Sequence, residues 1–244
     1  MSILLMLGSG PNVTTARTFP RSAFDQIAVI NNAWQVRPDW DYLIYPEDFA
    51  ADRRPATHQA GQISVTATDF VPAQNAYGGF VYGGGTMAFT ASYWALHALR
   101  PSVIAYLGCD MVYPTGSPTH FYGTGTPDPL RRDVTLRSLE AKSARLLALA
   151  ARQGCALVNL SQQPSRLLFP RADLSDLPYV TPLPIQTGRL DAALQAEAAL
   201  GYTVPSGRYW EEEARFDPAA IDRIDAAWAK TALFRSDPLC EKAA

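Results

Sequence analysis

Ser2-Ile3-Leu4-Leu5-Met6-Leu7 runs directly into Gly8-Ser9-Gly10-Pro11. A short apolar run with no polar position, stopped by glycine and proline, reads as a strand buried on both faces. The same grammar recurs along the chain. Gln26 to Ile30 stops at Asn31-Asn32, Tyr42 to Tyr45 at Pro46-Glu47-Asp48, and Val103 to Leu107 at Gly108-Cys109-Asp110. Ala156 to Leu160 reads as another such strand and Gln62 to Ala67 as a weaker one. Between them, Gly83-Gly84-Gly85-Thr86 opens a helix to about Leu99, whose Phe89, Tyr93, Leu96 and Leu99 share one face. A second helix is expected from Asp133 to Gln153, closed by Gly154. Asp217-Pro218 is a helix start leading through Trp228, and residues 189–200 read as helical.

Continuous apolar strands alternating with helices imply a mostly parallel sheet covered on both faces, the α/β class. In such sheets ligands bind beyond the carboxyl ends of the strands. The glycine, asparagine and acidic clusters all sit at those ends, so they are expected to converge on one rim. Residues 1–175 are expected to form this domain, with 176–244 a helical extension packed on it.

Composition narrows the function. The chain has 244 residues, 21 basic and 23 acidic, for a net charge of −2. That balance argues against nucleic acid as the main partner, because phosphate binding runs on Lys and Arg. No apolar run reaches the roughly 18–20 residues a membrane span needs. The first apolar run is short with no basic residue before it, so a signal peptide is not expected. Cys109, Cys155 and Cys240 are odd in number and widely spaced, which fits a reduced, cytoplasmic chain and no structural zinc.

Several clusters carry candidate chemistry. Gly8, Ser9 and Gly10 let the backbone approach a phosphate or sugar, or form a plain tight turn. Gly84, Gly85 and Thr86 at a helix start offer backbone N–H groups to an anion, or serve only a cap. Asn31 and Asn32 suit reading a base or sugar hydroxyl, or an Asx turn. Glu47, Asp48 and Asp110 would hold Mg²⁺ or Mn²⁺ if they met; Asp110 would otherwise orient a loop. The segment from Met111 to Arg131 is rich in Gly, Pro, Thr and Tyr and contains Thr119-His120-Phe121-Tyr122. A loop of that length tends to be functional, and His120 suits a general base. Arg131 and Arg132 would meet a phosphate or stay solvated. His97 reads as packing inside a helix, and His58 sits in a polar stretch.

The order of these motifs resembles the bacterial sialyltransferases that use CMP-sialic acid, and the related motility-accessory-factor and hydroxymethylpterin pyrophosphokinase-like proteins, over residues 3 to 165. Gly8 to Asn12 is similar to that family's Gly-Asn-Gly-Pro-Ser, with Ser9 in place of Asn. Gly108 to Tyr113 is similar to its Gly-Ile-Asp-Phe-Tyr, and Thr119-His120-Phe121 to its Ser-His-Tyr. The third strand departs, ending in Pro46-Glu47-Asp48 where the family has Asn-Pro. The resemblance implies a Rossmann-like glycosyltransferase that takes a nucleotide-activated sugar donor and a hydroxyl acceptor. His120 would be the base, and Tyr113, with Tyr122, would stabilise the departing phosphate. Gly8, Ser9, Gly10, Asn31, Asn32, Gly84, Gly85, Thr86 and Asp110 would hold the nucleotide, Arg131 the phosphate, and Glu47 and Asp48 a metal. The alternatives are a metal-dependent pyrophosphoryl or nucleotidyl transferase and a nucleotide-binding module without catalysis.

Overall fold

The computed structural model describes residues 1–125, 127, 129 and 131–231. Thr126, Asp128 and Leu130 of the long loop, and Cys240, lie outside the described residues. Six strands form one sheet: β1 (Ile3–Leu7), β2 (Gln26–Ile30), β3 (Tyr42–Ile44), β4 (Ile63–Val65), β5 (Val103–Leu107) and β6 (Ala156–Asn159). Their order is β4-β3-β2-β1-β5-β6, and every neighbouring pair is parallel. The fold is an α/β, Rossmann-like parallel sheet surrounded by helices.

Strand residues alternate between two cores. Leu4 and Met6 join Ala28, Ile30, Ile104 and Tyr106 on one face, while Leu5 and Leu7 join Ile27, Val29, Ala105 and Leu107 on the other. Each face is covered, so both sets are apolar and the strands show no polar alternation. The first face is covered by α-helices: α1 (Ala67–Asn75), α2 (Phe80–Gly83), α3 (Met87–Ala98), α4 (Leu139–Arg152), α5 (Thr187–Leu200) and α6 (Pro218–Thr231). The second is covered by short 3-10 segments, through Val13 and Ala16 of Pro11–Thr18 and Ala33 of Asn31–Gln35, and by Trp40 and Leu177. Among the described residues no helix is long and apolar enough to cross a membrane.

Two elements differ from the sequence reading for local reasons. The chain leaves β4 at Val65 and enters α1, which the reading of 62–67 as one strand does not anticipate. A capping box starts this helix: Thr66 N–H donates to Asp69 Oδ2 (2.9 Å) while the Thr66 side chain takes the N–H of Asp69. Pro72 sits inside α1 and masks its periodicity. The helix expected from Asp133 begins instead at Leu139, because Asp133 caps a separate turn, Val134–Leu136. Ser138 then caps α4 by accepting from Ala141 N–H at 3.1 Å.

The topology fixes where a ligand site lies. From β1 the sheet grows one way through β2, β3 and β4, and the other way through β5 and β6. The carboxyl ends of β1 and β5 therefore flank the switch point, where strand order reverses and a crevice opens.

Helices α5 and α6 are joined to α4 by two buried ion pairs. Arg145 Nε and Nη2 reach both oxygens of Glu197 at 2.7 and 2.8 Å, Nη1 donates to Tyr93 Oη at 2.7 Å, and Trp228 Nε1 donates to Glu197 Oε1 at 2.6 Å. Lys142 Nζ meets Asp225 Oδ1 at 2.7 Å and the Val81 carbonyl at 3.1 Å. Breaking a buried pair strands one charge without compensation, at a cost of about 3–5 kcal/mol. Glu197→Ala is expected to lose about that much in urea unfolding. A loss below 1 kcal/mol would show that the pair does not hold α5 in place.

Candidate active site

Two glycine turns build the centre of the crevice. Gly8 N–H donates to the Leu107 carbonyl at 2.9 Å, and Gly10 N–H to the Gly108 carbonyl at 2.8 Å. The turns after β1 and β5 thus lie backbone against backbone. A Cβ at Gly8 would stand 2.4 Å from the Gly108 oxygen, and one at Gly10 2.9 Å from it. Gly108 takes φ +74, and a Cβ there would stand 2.7 Å from Val13 Cβ. Close approach requires glycine at all three positions.

Above these turns opens a cleft of about 490 Å³. Gly8, Ser9 and Gly10 line its floor; Asn31, Asn32 and Thr86 line it from neighbouring elements; Tyr113, His120 and Tyr122 line it from the long loop. Residues more than a hundred positions apart in sequence thus share one space. The loop is fastened to the floor by a direct bond, Phe121 N–H to the Ser9 carbonyl at 3.0 Å. Its tip closes on itself: His120 N–H donates to the Gly123 carbonyl (2.9 Å) and Gly123 N–H to the His120 carbonyl (3.1 Å). Thr119 Oγ1 lies 2.9 Å from His120 Nδ1 and also accepts from Gly125 N–H at 2.8 Å, which holds the ring. Tyr122 stacks on the imidazole, with centroids 4.9 Å apart and planes 19° from parallel.

Both asparagines line the cleft. Asn32 is only 5% exposed and makes no side-chain hydrogen bond among the described residues. Among the described residues Asn31 Oδ1 is buried without a partner, and the Asn31 backbone stands at φ 51, in the left-handed region. These are not side chains spent on a turn. An unpaired buried acceptor costs about 1–3 kcal/mol.

The glycine run before α3 acts differently from the expectation. Gly84 N–H goes to the Phe80 carbonyl (2.8 Å) and Gly85 N–H to Thr135 Oγ1 (3.0 Å), and neither residue lines the cleft. Thr86 is the N-cap, accepting from Phe89 N–H at 3.4 Å. The N–H groups of Met87 and Ala88, in the first turn, have no helical carbonyl within reach, and both residues line the cleft. The first-turn N–H groups that border the cleft therefore lie two and three residues after Gly85.

Asp110 and Arg131 also lie outside the lining, each bonded within the protein. Asp110 accepts from Asn12 Nδ2 at 2.8 Å and Asn159 Nδ2 at 2.9 Å; Asn12 Nδ2 also reaches Ser161 Oγ at 2.7 Å. This network braces the ends of β1, β5 and β6. Arg131 donates to Asp133 Oδ2 (2.9 Å), Tyr209 Oη (3.0 Å) and the Gly85 carbonyl (3.1 Å), clamping the glycine run. Glu47 and Asp48 do not line the cleft, and no three His, Cys, Asp or Glu side chains among the described residues are grouped to hold a metal. The donor set present does not fit a divalent cation in this cleft.

Sequence reading did not single out Arg53 or Phe49, and it named Thr119 and Met111 only as parts of the long loop; all four line the cleft. Arg53 follows β3 after a short turn, and no motif points to it. Cys109 also lines the cleft but is chemically quiet. Burial, with the Asp110 carboxylate adding to it, pushes its thiol well above the usual range against the Gly8 N–H. Burial pushes Cys155 up to about 12. No family model matches this chain, and no curated protein or solved structure matches it.

Burial works to raise the Asp133 carboxyl. Hydrogen bonds from Thr135 and Tyr209 and the charge of Arg131 outweigh it and hold the group below its ordinary value. Its folded value is thus below the unfolded one of about 3.9, so its stabilisation is present above about pH 4 and is lost as pH falls through the folded value. Asp133→Asn is expected to lose about 1–3 kcal/mol at pH 7 and to show a shallower loss of stability on acidification. Denaturant melts from pH 7 to pH 2 check this, and parallel curves for the two proteins would refute it. Separately, iodoacetamide at pH 7.5 is expected to leave Cys109 and Cys155 unlabelled in the folded protein and to label both in urea, read by peptide mass spectrometry. Rapid labelling of Cys109 in the folded state would contradict its burial.

Proposed function

We propose that the chain is a glycosyltransferase-like enzyme that moves a sugar from a nucleotide-activated donor to an acceptor hydroxyl. One observation carries the reading: Phe121 N–H binds the Ser9 carbonyl at 3.0 Å, so the His120 loop is fastened to the glycine turn at the switch point and both line one cleft. A histidine delivered to that rim stands where α/β sheets bind nucleotides. The cleft-lining amides of Asn31 and Asn32 offer hydrogen-bonding groups for a base or ribose. The first turn of α3 supplies N–H groups and the positive end of a dipole for phosphate.

In the reaction, the acceptor oxygen attacks the anomeric carbon while His120 takes the hydroxyl proton. The bond from that carbon to the phosphate oxygen breaks, and its electron pair leaves with the phosphate. Tyr113 donates a hydrogen bond to the oxygen gaining charge, a contact worth most in the transition state. Tyr122 keeps the imidazole plane aligned by stacking. A cytoplasmic setting, where thiols stay reduced, accords with the free buried Cys109 and Cys155.

The metal-dependent pyrophosphoryl reading needs Glu47, Asp48 and Asp110 together at the phosphates. Asp110 is bonded to Asn12 and Asn159, and the other two lie off the lining, so the geometry favours the sugar-transfer reading. A binding module without catalysis differs from both by showing nucleotide affinity and no turnover.

A thermal-shift screen against CMP, UDP, GDP and ATP, each with and without Mg²⁺, is expected to give a metal-independent rise with one of the first three. The rise corresponds to about 2.7 kcal/mol at a hundred times Kd. His120→Ala is then expected to lower kcat by about 10²–10⁴ while nucleotide affinity stays within twofold, because a general base acts on the step and not on donor binding. Stabilisation by ATP only with Mg²⁺ would instead support pyrophosphoryl transfer, and turnover unchanged in His120→Ala would remove the base.

A further inference from the structure

The charge of the cleft is uneven in a way that names its ligand more closely. Among the described lining residues, Arg53 is the one Lys or Arg, and there is no Asp or Glu. Arg53 ends the short turn Ala51–Arg53 after β3, and its carbonyl is held by Trp34 Nε1 at 2.9 Å, so its backbone position is fixed from the 3-10 segment that carries Asn31 and Asn32. Its guanidinium makes no ion pair or hydrogen bond among the described residues. The adjacent Arg54 is engaged. Its Nε donates to the Phe49 carbonyl at 3.0 Å, and its guanidinium carbon lies 4.7 Å from the Tyr45 ring centroid. Two neighbouring arginines thus divide, one holding the loop and one left to the cleft. Asn31 and Asn32 line the same cleft, and the Asn32 side chain, 5% exposed, makes no hydrogen bond among the described residues.

Resting on the nucleotide reading above, we propose that Arg53 is the residue that recognises the ligand's anionic charge, and that the ligand is a nucleotide bound through its phosphate. A guanidinium pairs with phosphate by two parallel hydrogen bonds, and neighbouring amides pair with the uncharged part of the same molecule. One cation and the partial positive charge of the α3 N-terminus answer a single phosphate group. The cleft then distinguishes a nucleotide from its nucleoside at Arg53, while the asparagines read what the two share.

Calorimetric titration tests this with CMP, UMP, GMP and AMP, and with cytidine, uridine, guanosine and adenosine, on the wild type, Arg53→Met and Arg53→Lys. Arg53 is exposed, so unchanged melting temperatures are expected in both variants. Arg53→Met is expected to weaken the preferred monophosphate at least tenfold and leave its nucleoside within twofold. Arg53→Lys is expected to recover part of the loss, and raising salt to weaken monophosphate binding more in the wild type than in Arg53→Met. Equal monophosphate affinity in the wild type and Arg53→Met overturns the role of Arg53 while leaving the nucleotide reading intact. Absence of binding by every nucleotide and nucleoside overturns both.

Discussion

The structure turns on a contact between main chains. The turn after β1 and the turn after β5 approach until Gly8 N–H and Gly10 N–H bond to the carbonyls of Leu107 and Gly108. Side chains are excluded there, since a Cβ at Gly8 would fall 2.4 Å from a carbonyl oxygen. With the turns pressed together, the two strand ends stay level and the crevice at the switch point stays open above them. The same packing leaves the Ser9 carbonyl free for Phe121, and through it the loop bearing His120 is placed. A larger residue at Gly8 or Gly108 would therefore disturb the sheet edge, the cleft floor and the histidine together.

Polar groups near the crevice fall into two populations, separated by whether the protein itself satisfies them. Asp110 with Asn12, Asn159 and Ser161 forms a closed brace across three strand ends, and Arg131 with Asp133, Tyr209 and Thr135 forms a closed clamp on the glycine run. Buried polar groups pair when they can, so these networks read as architecture. Among the described residues the Asn32 and Arg53 side chains make no hydrogen bond within the protein, and both line the cleft together with the first turn of α3.

Much of this was legible in the residues. The strand ends were plain because apolar runs stopped at glycine, asparagine or acidic residues, and parallel topology brought those ends to one rim. Thr86 was legible as a cap from its place before the apolar face of α3. What spacing did not reveal was pairing. Nothing in Gly108-Cys109-Asp110 tells that the carboxylate turns toward Asn12 and Asn159, contacts set by residues 98 and 49 positions away. Nothing in Arg131 tells that Asp133 and Tyr209 claim it. Helix α1 was hidden because Pro72 interrupts it and because its signal is the Thr66–Asp69 cap rather than a periodic face. Arg53 was hidden because an arginine after a turn is ordinarily solvated, and only the paired state of Arg54 and the cleft it shares with Asn31 and Asn32 set it apart.

A crystal structure of the chain with its preferred nucleotide tests the central claim most directly. The account predicts the phosphate against the first turn of α3, within the crevice floored by Gly8 to Gly10, and the base or ribose on Asn31 and Asn32 with His120 facing the same space. A nucleotide seated elsewhere, or a crevice whose asparagines make no contact with the bound nucleotide, would contradict it.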